Sequence, residues 1–292
     1  MCSVMEHHSN DLPWRRKAKV VYAGVDDTGA LDLNDLETKL RAGRGKIQLV
    51  ALTAASNVTG YLNPIHHIAS LAHDHGAQVA VDAAQLVPHR SLDMRSHEDT
   101  EHIDFLLFSA HKMYAPLGTG VLIGPKSLFE QGGPEHVGGG TVELVSRDEV
   151  EWADLPDKEE VGSPNVVGAV ALAQAIKCLK DMGMDNIAEH ERKLTQYTVR
   201  MLKSITGLTI YGSDLYDDNR LGVIPFNLEG FHHALVAAIL SYEAGIGVRH
   251  GCFCAHPYVQ SLLKIEEQEA RKFREEIRRS YIQSKSSGHG PG

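Results

Sequence analysis

The sequence has little cysteine, no long apolar run and no excess of positive charge, and each shortage excludes a class of protein. Four cysteines in 292 residues are too few for a disulfide scaffold and favour a reducing compartment. No apolar run approaches the roughly 18 residues that span a bilayer. The formal net charge of -9 argues against nucleic-acid binding, which normally needs a basic face. The first ten residues also lack the pattern of a signal peptide. We therefore expect a cytoplasmic protein that binds neither membranes nor nucleic acid.

The sequence does contain apolar strand-like runs that alternate with helical patterns through its first half. Strands are predicted at residues 19–23, 48–54, 78–81, 106–108 and 121–123, and helices from about Leu33 and at residues 65–75. This alternation of strands and helices predicts an α/β fold, with a three-layer α/β/α large domain built on a mainly parallel sheet over residues 1–150.

The pattern changes after Gly140. Helices are predicted at residues 164–180, with Pro164 in the first turn, and at residues 184–203. Strands at 208–211, 221–226 and 246–249 and a helix at 232–242 follow. Residues 151–292 are therefore predicted to form a helical connection and a smaller α+β domain.

A single lysine, Lys112, follows an apolar strand and precedes a glycine-rich turn in "LLFSAHKMYAPLGTGVL". Polar residues also follow two other predicted strands: Asp82 with Gln85, and Asn57. Because α/β folds place their chemistry at the carboxyl ends of parallel strands, these side chains are predicted to meet in one crevice. Each residue also has an ordinary structural explanation when it is taken alone. Lys112 would then be a solvated loop residue, Asp82 a helix cap, Asn57 a turn former and Gln85 a surface residue.

Together these residues match the needs of pyridoxal 5′-phosphate (PLP). This cofactor requires a lysine amine for its Schiff base and an acid beside its pyridine nitrogen. It also requires hydrogen-bond partners for its phenolic oxygen and donors for its phosphate. Ser109 and His111, which flank Lys112 in the sequence, offer such phosphate donors.

An ordered set of motifs also resembles a known family. The stretches are "MEHHSNDLPW", "SNVTG", "VDAAQ", "FSAHKMYAPLGTGVL", "GSPN", "RLGVIPFNL" and "RHGCFCAHP". They are similar to the class V aminotransferase family of fold-type I PLP enzymes, and specifically to its cysteine desulfurase and selenocysteine lyase branch. The set covers nearly the whole chain and is specific as a whole.

The resemblance implies a role for each candidate residue. It implies that Lys112 carries PLP, that Asp82 faces the pyridine nitrogen and that His7 stacks on the ring. It further implies that Gln85 and Asn57 contact the phenolic oxygen or the substrate. The implied phosphate contacts are Ser109, His111 and, reaching the neighbouring subunit of a homodimer, Ser163.

The stretch "VRHGCFCAHP" supplies the implied sulfur chemistry. By the resemblance, Arg249 binds the carboxylate of a small amino-acid substrate, for which a planar guanidinium is well suited. Cys254 is the implied nucleophile, which acts as a thiolate and keeps a persulfide for a sulfur-acceptor protein. The alternative for Cys254 is a small buried hydrophobic residue. Cys252 has no counterpart in the simplest desulfurase pattern.

These residues allow three hypotheses about function and one about a metal site. The first is a PLP-dependent cysteine desulfurase that converts L-cysteine to L-alanine. The second is another class V reaction: transamination, epimerisation or selenocysteine cleavage. The third is an inactive fragment that keeps the fold. Zinc at Cys252, Cys254, His250 and His256 is disfavoured by the C-x-C spacing, so no metal is predicted.

The resemblance also suggests that the chain is truncated at both ends. The expected glycine- and threonine-rich turn that grips the cofactor phosphate, an anion site of backbone amides, would precede Met1. The last strands and helix of the small domain would follow Gly292. We expect a chain without that turn to bind PLP more weakly than family members that have it.

Overall fold

The computed structural model describes residues 1–212 and 219–286. Its strands are β1 (Cys2–Ser3), β2 (Tyr22–Ala23), β3 (Leu49–Thr53), β4 (Gln78–Asp82), β5 (Phe105–Ser109), β6 (Gly120–Ile123), β7 (Val142–Val145), β8 (Val150–Trp152), β9 (Leu208–Ile210) and β10 (Phe226–Leu228). Its helices are α1 (His8–Lys17), α2 (Leu33–Ala42), α3 (Ile65–Asp74), α4 (Lys126–Phe129), α5 (Val166–Met182), α6 (Met184–Leu202), α7 (His233–Ala244), α8 (His256–Leu262) and α9 (Glu267–Ser286). Short 3₁₀ helices cover Ala110–Met113 and Asp157–Glu159.

The main sheet has the strand order β2-β1-β3-β4-β5-β6. The pairs from β2 to β5 are parallel, and β6 runs antiparallel to β5. The predicted α/β fold with a mainly parallel sheet is therefore confirmed. In the register of β3 and β4, Thr53 lies beside Asp82, so the carboxyl ends of these strands reach the same edge of the sheet.

Alternation of side chains along the strands builds a core on each face of the sheet. Val50 and Leu52 of β3 point into the larger core, which α2 and α3 cover with residues such as Leu36 and Ile68. The intervening residue Ala51 faces the other side, where small side chains leave room for Trp14 of α1 and its neighbours. The two faces thus give the layered arrangement that the sequence predicts.

A third cluster joins the first half of the chain to α5. Ala110 and Met113, from the 3₁₀ turn after β5, pack against Leu172 and Leu179 of this helix. Beyond α6, β9 and β10 form a two-stranded antiparallel sheet. The division into domains at about residue 150 remains a proposal.

Several predicted elements differ in the structure. α5 begins at Val166, because Asn165 caps it by accepting a hydrogen bond from Gly168 N, and Pro164 therefore lies ahead of the helix. The strand predicted at 221–226 starts only at Phe226. Pro225 has no N–H for a ladder.

The strand predicted at 246–249 is wrong. Residues 245–250 have no regular secondary structure, and Ile246 and Val248 are exposed. Gly245 and Gly251, on either side of the predicted strand, adopt positive φ, which a strand residue does not adopt, so the chain turns at both ends of the stretch. The sequence pattern also did not predict α1, the β7–β8 hairpin or α9.

Among the helices of the described residues, none has the length and apolar character needed to cross a bilayer. The C-terminal residues 287–292, on which part of the truncation hypothesis and of the predicted small domain falls, lie outside the described residues.

Candidate functional site

Lys112 lies in the 3₁₀ turn that follows β5. Its neighbours Ala110 and Met113 are buried against α5, which fixes the turn on both sides of the lysine. Lys112 itself is half-buried, and its Nζ lies 3.1 Å from Oε1 of Gln85. It is therefore held in place by its neighbours, unlike a solvated loop lysine.

The surroundings of Lys112 favour a reactive amine. Burial lowers the pKa of Lys112 below its ordinary value; the carboxylate of Asp82 opposes this shift, and the positive charge of Arg249 adds to it. A lowered pKa increases the neutral fraction of the amine at a given pH, and the neutral amine is the nucleophilic form.

Asp82 ends β4 and has two roles in the structure. Its Oδ1 accepts a hydrogen bond of 3.0 Å from the N–H of Ala84, so it does stabilise the turn after the strand, as the alternative reading expected. Its charge also acts on Lys112 and on His7. The turn contact uses Oδ1 and leaves Oδ2 available for a further hydrogen bond.

His7 caps the amino end of α1. Its Nδ1 accepts a hydrogen bond of 3.2 Å from the N–H of Ser9, which leaves the other ring nitrogen to carry the proton of the neutral ring. Burial, and after it the positive charge of Lys112, lowers the pKa of His7. The ring is thus favoured in its neutral form beside the lysine.

Glu6 is a site neighbour that the sequence reasoning missed. Its carboxylate is fully buried and accepts hydrogen bonds from Ser3 Oγ at 2.5 Å and Asn10 Nδ2 at 2.7 Å. Burial raises the pKa of Glu6 to about 7, and the negative charge of Asp82 adds to the increase. The only sequence signal was its position directly before His7, since a lone glutamate normally predicts a solvated residue.

Asn57 connects the sheet edge to residues 251–255, which carry Cys252 and Cys254 and are called the cysteine segment below. The turn that carries it is locked by Gly60, where φ is +72° and an added Cβ would lie 2.7 Å from the carbonyl oxygen of Leu221. Asn57 Nδ2 donates a hydrogen bond of 2.8 Å to the carbonyl oxygen of Phe253. The sequence predicted a cofactor or substrate contact for Asn57 but not this one.

The cysteine segment follows the irregular stretch that carries Arg249. Arg249 and Cys254 are exposed, and Cys252 is half-buried. Phe253 and Cys254 have φ of 51° and 54°, in the left-handed region that costs a non-glycine residue on the order of 1 kcal/mol or more.

Two contacts hold this unusual backbone near α1. The N–H of His8 donates a hydrogen bond of 2.7 Å to the carbonyl oxygen of Cys254. The ring of His256 stacks on that of His8, with centroids 4.9 Å apart. The start of α1 therefore connects His7 to the cysteine segment.

The cysteine segment also borders a cleft of about 580 Å³ beside α7 and β10. Arg249, Cys252 and Asn57 line this cleft. Within the described residues, the four side chains weighed as zinc ligands do not form a group that could share one ion.

The predicted phosphate contacts lie on separate elements. Ser109 ends β5, and His111 is exposed in the 3₁₀ turn beside Lys112. Ser163 is exposed in the bend before α5. The structure thus brings together His7, Asp82, Gln85, Lys112 and Arg249, whereas the roles of the three phosphate candidates stay predictions.

Sequence comparison identifies the family. The profile of the Aminotransferase class-V family matches residues 1–274. The chain belongs to the class V aminotransferase family. The resemblance stated from the motifs is therefore confirmed.

Two relatives of the chain are named as cysteine desulfurases, one of them as probable. The chain is 38% identical over 263 residues to a probable cysteine desulfurase of Halalkalibacterium halodurans, covering 88% of this chain and 62% of the relative. It is 39% identical over 261 residues to a cysteine desulfurase of Shigella sonnei, covering 87% and 61%. The chain thus spans about three fifths of the length of these relatives.

Solved structures agree on the fold. The cysteine desulfurase of Thermococcus onnurineus superimposes with a TM-score of 0.81 at 36% identity, covering 89% of this chain and 64% of that one. The cysteine desulfurase CsdA of Escherichia coli gives a TM-score of 0.79 at 32% identity, covering 89% and 63%.

The residues around Lys112 offer the part of the PLP donor set that serves the Schiff base, the pyridine nitrogen and the phenolic oxygen. A half-buried amine of lowered pKa, the Asp82 carboxylate and the Gln85 amide converge at one edge of the sheet. The chemistry of these side chains, and their arrangement around Lys112, fits the cofactor.

Proposed function

We propose that this protein is a PLP-dependent cysteine desulfurase that converts L-cysteine to L-alanine and retains the sulfur as an enzyme persulfide. The observation that carries the proposal is the half-buried Lys112, whose amine lies 3.1 Å from Gln85 and within the field of Asp82 and Arg249. The names of the class V relatives support the choice of reaction.

When bound, PLP supplies an electron sink for the bonds around the substrate α-carbon. Lys112 holds the cofactor covalently and moves protons at the substrate carbon. Asp82 keeps the pyridine nitrogen protonated, and the neutral ring of His7 stacks on the cofactor. Gln85 and Asn57 contact the phenolic oxygen or the substrate. The phosphate contacts proposed are Ser109, His111 and Ser163.

The sulfur step belongs to the segment after Arg249. The guanidinium of Arg249 binds the substrate carboxylate through paired hydrogen bonds. The Cys254 thiolate forms an S–S bond with the substrate sulfur as the bond from that sulfur to the β-carbon breaks. The electron pair stays with the carbon, which takes up a proton to give alanine. Exposure of Cys254 suits this role better than that of a buried hydrophobic residue.

The same proposal extends to assembly. A homodimer would allow Ser163 to reach the neighbouring subunit's cofactor, and its exposure ahead of α5 is compatible with that role. An exposed Cys254 would present the persulfide to an acceptor protein. The division at about residue 150 would separate the cofactor-binding part from the part that carries Arg249 and Cys254.

The test is sulfide release from L-cysteine by the PLP-loaded protein, with alanine measured in the same samples. Cys254→Ala should abolish sulfide release, because no thiolate remains to take the sulfur. Cys178→Ala is the matched control, since Cys178 is also a free, exposed cysteine but lies on α5. Parental sulfide release by Cys254→Ala would contradict the nucleophile assignment. If the protein instead converts an amino acid to its keto acid, and neither Cys252 nor Cys254 is needed, it is an aminotransferase.

A further inference from the structure

A cluster of two histidines and one aspartate lies at the opposite end of β5 from Lys112. Asp104 directly precedes the strand, His102 lies two residues earlier, and His73 is in the last turn of α3. At about 3.3 Å per strand residue, β5 separates the cluster from Lys112 by roughly 15–20 Å. The cluster is therefore not part of the candidate active site.

The three side chains converge through specific atoms. Nε2 of His73 lies 2.9 Å from Oδ2 of Asp104, and Nε2 of His102 lies 3.4 Å from Oδ1. The side chains are only 19%, 15% and 8% exposed for His73, His102 and Asp104 respectively. In the described part of the chain, this is the one group of three or more such residues close enough to share an ion.

Backbone carbonyl groups determine the tautomer of both rings. Nδ1 of His73 lies 2.7 Å from the carbonyl oxygen of Thr100, and Nδ1 of His102 lies 2.7 Å from that of Asp99. A carbonyl oxygen can only accept a hydrogen bond, so Nδ1 carries the proton in each ring. In a neutral imidazole the other nitrogen then has a lone pair. Each lone pair then faces the carboxylate of Asp104, so the two acceptors need either a proton on Nε2 or a metal ion between them.

We propose that His73, His102 and Asp104 bind a divalent transition-metal ion of the Zn²⁺ type. Two imidazole nitrogens and a carboxylate oxygen are ligands that zinc accepts, and bonds of about 2.0–2.2 Å in a tetrahedron place ligand atoms roughly 3.3 Å apart. The measured separations are 2.9 Å from His73 Nε2 to Oδ2 and 3.4 Å from His102 Nε2 to Oδ1, so each ring faces a different oxygen of Asp104 and the carboxylate would bind the ion through both. Water would complete the coordination of the ion.

The contacts behind the ligands support the same site. Metal-bound histidines usually donate their second ring N–H to a carbonyl or carboxylate, and metal-bound carboxylates are themselves hydrogen-bonded. Here both Nδ1–H groups meet carbonyl oxygens, and Asp104 accepts a hydrogen bond of 2.8 Å from the N–H of Val79. A bound ion would connect the loop before β5 to α3 and stabilise the fold. The zinc site does not depend on the proposed cysteine desulfurase reaction.

The test is zinc binding by the purified, tag-free protein, measured by isothermal titration and by the midpoint of thermal unfolding. The wild type should bind one Zn²⁺ per chain and unfold at a higher temperature with zinc present. His73→Gln and His102→Gln each remove a ligand, so each should weaken zinc binding by more than the roughly 10–100-fold that loss of an outer-shell partner costs, and should lose the thermal shift. His67→Gln is the matched control, because His67 is on α3 but exposed and outside the cluster.

Three results would overturn the proposal. The first is the absence of stoichiometric zinc binding by the wild type. The second is unchanged binding in the His73 and His102 variants. The third is loss of the ion in a Cys252→Ala/Cys254→Ala double variant, which would place it at the cysteine segment. If a histidine variant fails to fold, anomalous scattering at the zinc edge from wild-type crystals decides the matter: a peak between His73, His102 and Asp104 supports the site, and its absence there refutes it.

Discussion

Replacing Glu6 with glutamine should change how the stability of the protein depends on pH. Glu6 is fully buried, and burial raises its pKa from an ordinary value of 4.5 to about 7, with Asp82 adding to the increase. The folded protein therefore binds the Glu6 proton more tightly than the unfolded chain does. Its stabilising effect is complete below about pH 4.5 and is lost progressively as the pH rises through about 7.

The size of the effect follows from the two pKa values. At about 1.4 kcal/mol for each tenfold change, the free energy of unfolding falls by roughly 2–3 kcal/mol between pH 5 and pH 8 because of Glu6 alone. Glutamine resembles the protonated carboxyl group and does not titrate. It also keeps one carbonyl oxygen to accept the hydrogen bond from Asn10 Nδ2, which the carboxylate accepts at 2.7 Å. The difference in stability between Glu6→Gln and the wild type should therefore shift in favour of the variant by roughly 2–3 kcal/mol over this range.

Urea denaturation at pH 5 and pH 8, followed by far-ultraviolet circular dichroism, measures this difference. Glu143→Gln is the control, because Glu143 is exposed on β7 and its replacement should alter stability equally at both pH values. A Glu6→Gln variant whose stability relative to the wild type is the same at pH 5 and pH 8 would show that Glu6 stays ionised in the folded protein.

Two further predictions concern the candidate site. Asp82→Asn should retain cofactor but lose most turnover, since an amide does not keep the pyridine nitrogen protonated; unchanged steady-state kinetics would leave Asp82 only its turn contact with Ala84. Cys252→Ala should reduce sulfide release from L-cysteine less than Cys254→Ala does, because Cys252 lies outside the desulfurase pattern; equal loss in both variants would show that both thiols are needed.

Much of the fold was predictable because its strands are short, apolar and bounded by turn residues. The predicted segments 48–54 and 78–81 correspond to β3 and β4 within one residue at each end. The predictions failed where local pattern and tertiary contact disagree. Residues 246–249 have strand-like composition, but Gly245 and Gly251 on either side adopt positive φ, and no strand of the described chain pairs with the stretch.

The candidate site was predictable at the strand ends and less so elsewhere. Asp82 ends β4 and Lys112 lies in the turn after β5, so the topology of a parallel sheet brings them together. Glu6 gave no such signal, because its burial depends on α1 folding back over the sheet. Likewise, the contact between Asn57 and the carbonyl oxygen of Phe253 joins residues 196 positions apart and has no counterpart in local sequence.

The most direct test of the account is to locate the lysine that holds PLP. The protein is incubated with PLP, reduced with borohydride and digested, and the pyridoxyl-bearing peptide is sequenced by mass spectrometry. The account predicts the label on Lys112, whose half-buried amine has a lowered pKa, and its loss in Lys112→Ala. Lys126→Ala is the control, since Lys126 is an exposed lysine on α4. A label on another lysine, or one that persists in Lys112→Ala, would contradict the account.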